Sequence, residues 1–217
     1  MEFIPALVDF ILHLDAHLAE LIRDYGVWIY AILFAIVFIE TGLVVMPFLP
    51  GDSLLFIAGA FAAKGEMNLM AVNVLLIAAA ILGNTSNYWI GRYFGPRVFQ
   101  WENSKFFNRN AFDKAHTFYE KHGAMTIIVT RFLPFLRTFS PFVAGVAAMT
   151  HARFQAYNIA GGVLWVVSLS VAGYFFGNIP WVKGHLTAII LALIIIPGLP
   201  AVYVGMREWV ASRKKDM

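Results

Sequence analysis

The course of this chain through a membrane depends on one stretch of sequence, ETGLVVMPFLPGDS, residues 40–53. The stretch lies inside an otherwise apolar segment, 27–62. It contributes two acids, Glu40 and Asp52, and two prolines that remove backbone donors and break helices. Two complete helical crossings need about 40 residues plus a turn, and segment 27–62 is shorter than that. We therefore predict that it enters and leaves the membrane on one side, as a re-entrant hairpin.

The composition of the whole chain is that of a membrane protein. Of its 217 residues, 60% are hydrophobic and 13% are charged, whereas soluble domains carry roughly a quarter charged residues. The net charge of +3 is small and indicates orientation in a membrane more than nucleic-acid binding. The chain has no cysteine, and its six histidines lack metal-ligand spacing. We expect no disulfide, no metal and no other cofactor.

A second proline-broken segment, 124–150, carries bases where the first carries acids. It contains Arg131, Pro134 and Arg137, and it is again too short for two crossings. We predict a second re-entrant hairpin there. Apolar runs of spanning length predict three transmembrane helices, at 70–91, 154–177 and 187–206.

The polar parts of the chain predict its orientation. The basic segment 92–123 is expected to be a cytoplasmic loop with a helix of its own, because cytoplasmic loops are enriched in Lys and Arg. The basic tail, 207–217, falls on the same side. Residues 1–26 have the pattern of an amphipathic helix; a place in the membrane interface suits its charges best, and a tilted span is left open. The membrane domain is thus expected at 27–206.

Three short motifs recur in the same order in both halves of this domain. FLP at 48–50 returns at 132–134, FIAG at 56–59 returns as FVAG at 142–145, and GRYFG at 91–95 returns as GYFFG at 173–177. A unit of one hairpin plus one span crosses the membrane an odd number of times, so two units in tandem have opposite orientation. We predict an all-α polytopic membrane protein built as an inverted repeat of a re-entrant helical hairpin plus a transmembrane helix. The first hairpin would enter from outside and the second from the cytoplasm. The alternative is an apolar bundle with coincidental Pro and Gly kinks.

Four ionisable residues fall inside the two hairpins, where charge is costly and usually faces a partner or a cavity. Arginine presents a planar donor fork that suits phosphate oxygens, so Arg131 and Arg137 are the candidates for binding a phosphate head group. Glu40 and Asp52 can gain a proton and are the candidates for proton coupling. If the hairpins meet, the acids meet the bases. The alternative is a buried salt-bridge cluster that only fixes the fold.

A second set of residues is predicted to line a cavity beside these charges. It comprises polar residues near the end of the first predicted span and the prolines at the two breaks: Asn84, Asn87, Tyr88, Pro50 and Pro134. For the polar residues, interhelical hydrogen bonding is an equally good interpretation.

Residues 40–53, 83–95 and 131–145 resemble the three signatures of the DedA family of bacterial inner-membrane proteins, and the resemblance runs from about residue 5 to residue 205. Asn84 departs from it, because many members have Asp there. The resemblance implies a VTT-type fold with two opposed re-entrant hairpins, and translocation of a lipid. Bacterial members are linked to recycling of undecaprenyl phosphate and to proton-motive force. The family's acid and arginine positions map onto Glu40, Asp52, Arg131 and Arg137.

Together these observations predict a proton-coupled lipid transporter, or flippase, of the bacterial inner membrane, and no enzyme. Its partners would be protons and a polyprenyl phosphate or related anionic phospholipid, with no nucleic acid; a homo-oligomer is left open. The main alternative is a proton-coupled exporter of small cations or drugs that uses the two acids as counter-ions. A membrane phosphatase would need a basic-plus-His signature, and neither hairpin contains a His. A structural assembly factor would leave four intramembrane charges without a task.

Overall fold

The computed structural model describes residues 24–43, 51–98 and 125–184. The predicted N-terminal helix, the helix within the basic loop, the span at 187–206 and the tail lie outside the described residues. The elements within them are α1 (Trp28–Gly42), α2 (Gly51–Ala63), α3 (Leu69–Val98), α4 (Pro134–Val146), α5 (His151–Phe176) and α6 (Pro180–Gly184). A further helical stretch covers 125–130. The described part of the chain contains no strand, so the prediction of an all-α protein is confirmed there.

Two of these helices are long and apolar enough to cross a membrane. They are α3, in which the apolar part Leu69–Gly95 has 27 residues, and α5, His151–Phe176, with 26 residues. At 1.5 Å per residue each is about 40 Å long, more than the roughly 30 Å of a hydrocarbon core. They coincide with the predicted spans 70–91 and 154–177. α3 continues past Arg92 into the segment predicted as a loop. The Arg92 side chain lies back along the helix and donates to the Tyr88 hydroxyl at 2.9 Å.

The proline-broken segments each contain short helices. α1 and α2 have 15 and 13 residues, which is too short for a span of about 20 residues. In the second segment the helical stretch ends at 130, a turn follows, and Pro134 is the first residue of α4. Proline is favoured at this first position because its missing N–H would have no helical partner there. In the second segment the helices are thus interrupted just before Pro134, whereas the prolines of the first segment, at 47 and 50, lie outside the described residues.

The second helix of each segment packs against the long helix of the other half. α2 lies on α5, and the contact is made at glycines. A Cβ at Gly59 would overlap the backbone oxygen of Ser170, and one at Gly173 would overlap the backbone oxygen of Phe56. Only glycine therefore permits this approach of the two backbones.

The same crossing occurs between α4 and α3. A Cβ at Gly145 would overlap the backbone oxygen of Tyr88, and one at Gly91 would overlap the backbone oxygen of Phe142. All four glycines belong to the repeated FIAG/FVAG and GRYFG/GYFFG motifs. The repeated motifs therefore specify two matching helix contacts. In each, the short helix of one half packs against the long helix of the other half.

The apolar side chains divide between a core and an outer surface. Ile29, Leu33 and Val37 recur every four residues along α1, and all are buried in a cluster shared with α2, α3 and α5. The long helices also expose large apolar side chains such as Met70 and Phe175. An exposed apolar surface of this kind suits contact with lipid.

Candidate functional site

Arg137 joins the acids of the first broken segment to the second. It lies in the first turns of α4, where its backbone N–H donates to Leu133. Its Nη2 donates to Glu40 Oε1 at 2.5 Å and its Nη1 to Asp52 Oδ1 at 2.7 Å. Three of the four predicted residues are thus in direct contact, and we call Glu40, Asp52 and Arg137 the ion cluster.

The two acids of the ion cluster differ in exposure. Glu40 lies near the end of α1 and is wholly buried. Its carboxylate packs so closely against the start of α2 that a Cβ at Gly51 would overlap Oε2. The Asp52 side chain, in the first turn of α2, is 18% exposed, against 3% for Arg137. Asp52 is therefore the residue of the ion cluster that a ligand or proton can reach from the protein surface.

Trp165 contacts two residues of the ion cluster, and it was not predicted from the sequence. Its Nε1 donates to Asp52 Oδ1 at 2.8 Å, and the Arg137 guanidinium carbon lies 5.0 Å from the centroid of its ring. The two contacts are a charge-assisted hydrogen bond and a cation–π interaction. One sequence signal could have found it: tryptophans of transmembrane helices concentrate at the membrane interfaces, and Trp165 lies mid-helix.

Arg131 is kept apart from the acids. It is 1% exposed and lies in the turn before α4. Its Nη2 donates to Asn158 Oδ1 at 2.5 Å, with longer contacts to two backbone oxygens. Its Nε and Nη1 have no hydrogen-bond partner among the described residues, and no described carboxylate pairs with it. Among the described residues, Arg131 is thus a buried cation with two unpartnered donors, and of the two arginines it is Arg137 that contacts Glu40 and Asp52.

Small and polar residues of α5 form the slot that holds Arg131. A Cβ at Gly161 would lie 3.3 Å from the arginine Cδ, and one at Gly162 would lie 3.5 Å from Nη1. Asn158 is itself held, because its Nδ2 donates to Ile81 O at 3.1 Å and to Gln155 Oε1 at 3.1 Å. The lack of a side chain at Gly161 thus leaves room for the Arg131 side chain beside α5.

Asn158, Gly162 and Trp165 share one face of α5, at spacings of four and three residues. Asn158 was not predicted from the sequence either, because a single Asn in an apolar helix is unremarkable. The helical periodicity of these three residues in an apolar run was the available signal. This face contacts Arg131 at one end and the ion cluster at the other.

Two of the five predicted cavity-lining residues, Asn87 and Tyr88, make hydrogen bonds to backbone oxygens of other elements. Asn87 is wholly buried, and its Nδ2 donates to Thr41 O at 3.3 Å and to Thr138 O at 2.7 Å. These are the residues that follow Glu40 and Arg137, so Asn87 ties the two halves together beside the ion cluster. Asn84 is buried with Oδ1 unpartnered among the described residues. For Asn87 the interpretation as an interhelical hydrogen bond fits.

The remaining members of that set lie elsewhere. The Tyr88 hydroxyl donates to Met149 O at 2.5 Å, and its ring stacks on Phe154 with centroids 4.4 Å apart. Tyr88 therefore anchors the turn after α4. Pro134 begins α4, and Pro50 lies outside the described residues.

Known proteins resemble this chain over most of its length. The VTT domain family matches residues 49–175. Protein DedA of Escherichia coli (strain K12) is 55% identical over 204 residues, which cover 93% of each chain. An uncharacterized membrane protein of Mycobacterium leprae is 42% identical over 185 residues, covering 84% of this chain and 83% of its own. The inner membrane protein YghB of Escherichia coli (strain K12) is 36% identical over 194 residues, covering 87% of this chain and 83% of its own.

No solved structure matches the chain. The family match covers more than half of the sequence, and two of these relatives are named as membrane proteins. The two long apolar helices of this chain agree with that location. The chain therefore belongs to the DedA family of VTT-domain membrane proteins.

Proposed function

We propose that this protein transports a phosphate-bearing lipid across the bacterial inner membrane, coupled to protons and without an enzymatic step. The observation that carries the proposal is Arg131, a buried cation with two unpartnered donors and no acid partner among the described residues. A buried charge without a partner is strongly destabilising. A phosphate group would supply both the missing charge and the missing acceptors.

The ion cluster supplies the proton-linked part of the proposal. Both terminal nitrogens of Arg137 are occupied by Glu40 and Asp52. A phosphate that binds the two terminal nitrogens of Arg137 would therefore displace these carboxylates. Protonation of an acid weakens its hold on the guanidinium, because the ionic part of the contact is lost. Proton uptake would thus release Arg137 to join Arg131 on the head group, and proton release would return it.

Alternating access, the third part of the proposal, would come from an opposed pair of re-entrant hairpins. The first hairpin carries the acids and the second carries the arginines. The matching glycine crossings of α2 on α5 and of α4 on α3 support an inverted repeat. Inverted repeats with broken helices are a common plan of secondary transporters. The substrate is expected to be a polyprenyl phosphate or a related anionic phospholipid.

The test is transport of labelled lipid in proteoliposomes, with and without a proton gradient. Polyprenyl phosphate, phosphatidylglycerol and zwitterionic phosphatidylcholine are compared as substrates. We expect transport of an anionic lipid that depends on the gradient and is lost in Arg131→Ala and in Arg137→Ala. Arg153→Ala is the matched control, because Arg153 is an exposed cation at the start of α5. Transport that persists in both hairpin variants would refute the mechanism.

A cation exporter would use the two acids as counter-ions for its substrate. In this structure each acid already contacts Arg137, which favours the anionic substrate. Ligand binding separates the two functions. An exporter predicts that Glu40→Gln and Asp52→Asn abolish binding, whereas lipid transport predicts that the arginine variants do so.

A further inference from the structure

Trp165 occupies an unusual place for a tryptophan in a membrane helix. The other described tryptophans, Trp28, Trp89 and Trp181, are 73%, 50% and 67% exposed, whereas Trp165 is 1% exposed. Buried indoles generally need a hydrogen-bond partner for the N–H. The partner here is a carboxylate of the ion cluster, so the burial of Trp165 is tied to the proposed transport site.

The contacts of Trp165 involve both members of one ion pair. Asp52 Oδ1 accepts from the indole at 2.8 Å and from Arg137 Nη1 at 2.7 Å. The indole ring covers the same guanidinium at 5.0 Å. The edge of Trp165 therefore binds the acid, and its face binds the base.

We propose that Trp165 is a positioning residue of the transport site, which holds the Asp52 carboxylate in place while Arg137 exchanges it for the lipid phosphate. When Arg137 leaves, the indole N–H stays on Oδ1, so the acid keeps its orientation and Arg137 can return to it. The charged groups around Asp52 are Glu40 on α1 and Arg137 on α4, with Arg131 beyond. Neither arginine can hold the Asp52 side chain during the exchange, because both bind phosphate, and the indole of Trp165 is the described donor that stays on Oδ1.

The contact itself can be tested without any transport. The protein is labelled with ¹⁵N at its indoles, placed in nanodiscs, and observed by NMR as wild type and as Asp52→Asn. We expect one indole N–H resonance to shift on loss of the carboxylate charge, and Trp165→Phe to remove that resonance. The exposed Trp89 is the control. Its resonance is identified by its loss in Trp89→Phe, and we expect it not to shift in Asp52→Asn. An unmoved Trp165 resonance in a folded Asp52→Asn protein would overturn the proposal.

The positioning role, which rests on the proposed function, is tested by transport. Trp165→Phe keeps an aromatic ring but loses the donor, and we expect transport to fall roughly tenfold or more, the size of one hydrogen bond to a charged group. Trp165→His restores a donor and should recover part of the loss; Trp89→Phe should transport as wild type. Asp52→Asn combined with Trp165→Phe should be no worse than Asp52→Asn alone.

The outcomes separate the two proposals. Full transport by Trp165→Phe, or losses that multiply in the double variant, would overturn the positioning role. If the wild-type protein moves no lipid, the proposed function fails, while the response of the indole resonance to Asp52→Asn still decides whether Trp165 holds the acid. Should Trp165→Phe not fold, the Trp165 resonance is assigned by elimination, with single Trp→Phe variants of the other five tryptophans.

Discussion

Replacing Arg137 by glutamine removes the cation that contacts both acids of the ion cluster. Glu40 is wholly buried, so its carboxylate would be left without its counter-charge. Breaking a buried pair by removing one partner costs about 3–5 kcal/mol. Asp52 adds less to this cost, because its side chain is 18% exposed and keeps the Trp165 indole as a donor.

The expected effect is large enough to measure as a melting temperature. For chains of this size, 1 kcal/mol corresponds to about 2–4 °C, so we expect Arg137→Gln to lower Tm by roughly 6–20 °C. The assay is thermal unfolding in detergent, followed by circular dichroism. Arg153→Gln, on the exposed start of α5, is the control and should change Tm by no more than a degree or two, since surface substitutions are usually within about 0.5 kcal/mol.

A double-mutant cycle isolates the buried pair. Glu40→Gln in the Arg137→Gln background removes the orphaned carboxylate and should recover part of the lost Tm, giving a coupling of about 0.5–3 kcal/mol. The same cycle with Asp52→Asn should give a smaller coupling. The reasoning is refuted if Arg137→Gln melts within about 2 °C of wild type, since a loss of about 3–5 kcal/mol should lower Tm by more than that. It is also refuted if the double variant with Glu40→Gln loses as much stability as the two single variants added together.

Three further substitutions test other parts of the structure. Gly173→Ala forces a Cβ onto the backbone of α2, so we expect a loss of about 1–3 kcal/mol in thermal unfolding. Gly42→Ala meets nothing nearer than 3.4 Å and should be tolerated; equal losses would contradict the crossing. Asn158→Asp places a carboxylate beside Arg131, so we expect it to abolish binding of phosphate lipid in native mass spectrometry, and undiminished binding would argue against Arg131 as the anchor. Asn87→Ala removes two buried hydrogen bonds, at about 1–3 kcal/mol in total; Tm measures this, and an unchanged Tm would mean that the two halves do not depend on this tie.

The meeting of the two broken segments could be predicted from charge alone. Glu40 and Asp52 lie in one segment and Arg137 in the other, and charges inside a membrane seek partners. Which arginine would meet the acids could not be predicted. Pro134 places Arg131 in a turn and Arg137 within α4, and this difference in backbone sends their side chains to different partners.

The contribution of α5 was beyond the sequence patterns used. Trp165 is 113 residues from Asp52, and Asn158 is 27 residues from Arg131. Neither belongs to the broken segments where charge drew attention. The glycines of the repeated motifs were visible, but their meaning was not, because a sequence repeat does not tell whether a short helix packs within its own half or on the other.

The exchange of short helices between the halves has a consequence for biosynthesis. About 90 residues separate the end of α2 from the start of α5, its packing partner. At about 5–20 residues per second, the ribosome takes roughly 5–20 s to make them. During that interval the α2 surface around Gly59 lacks its packing partner, so lipid or the insertion machinery must cover it. The first half is therefore an unfinished intermediate until the second half arrives, and a chain stalled between the two would present a backbone groove to its neighbours.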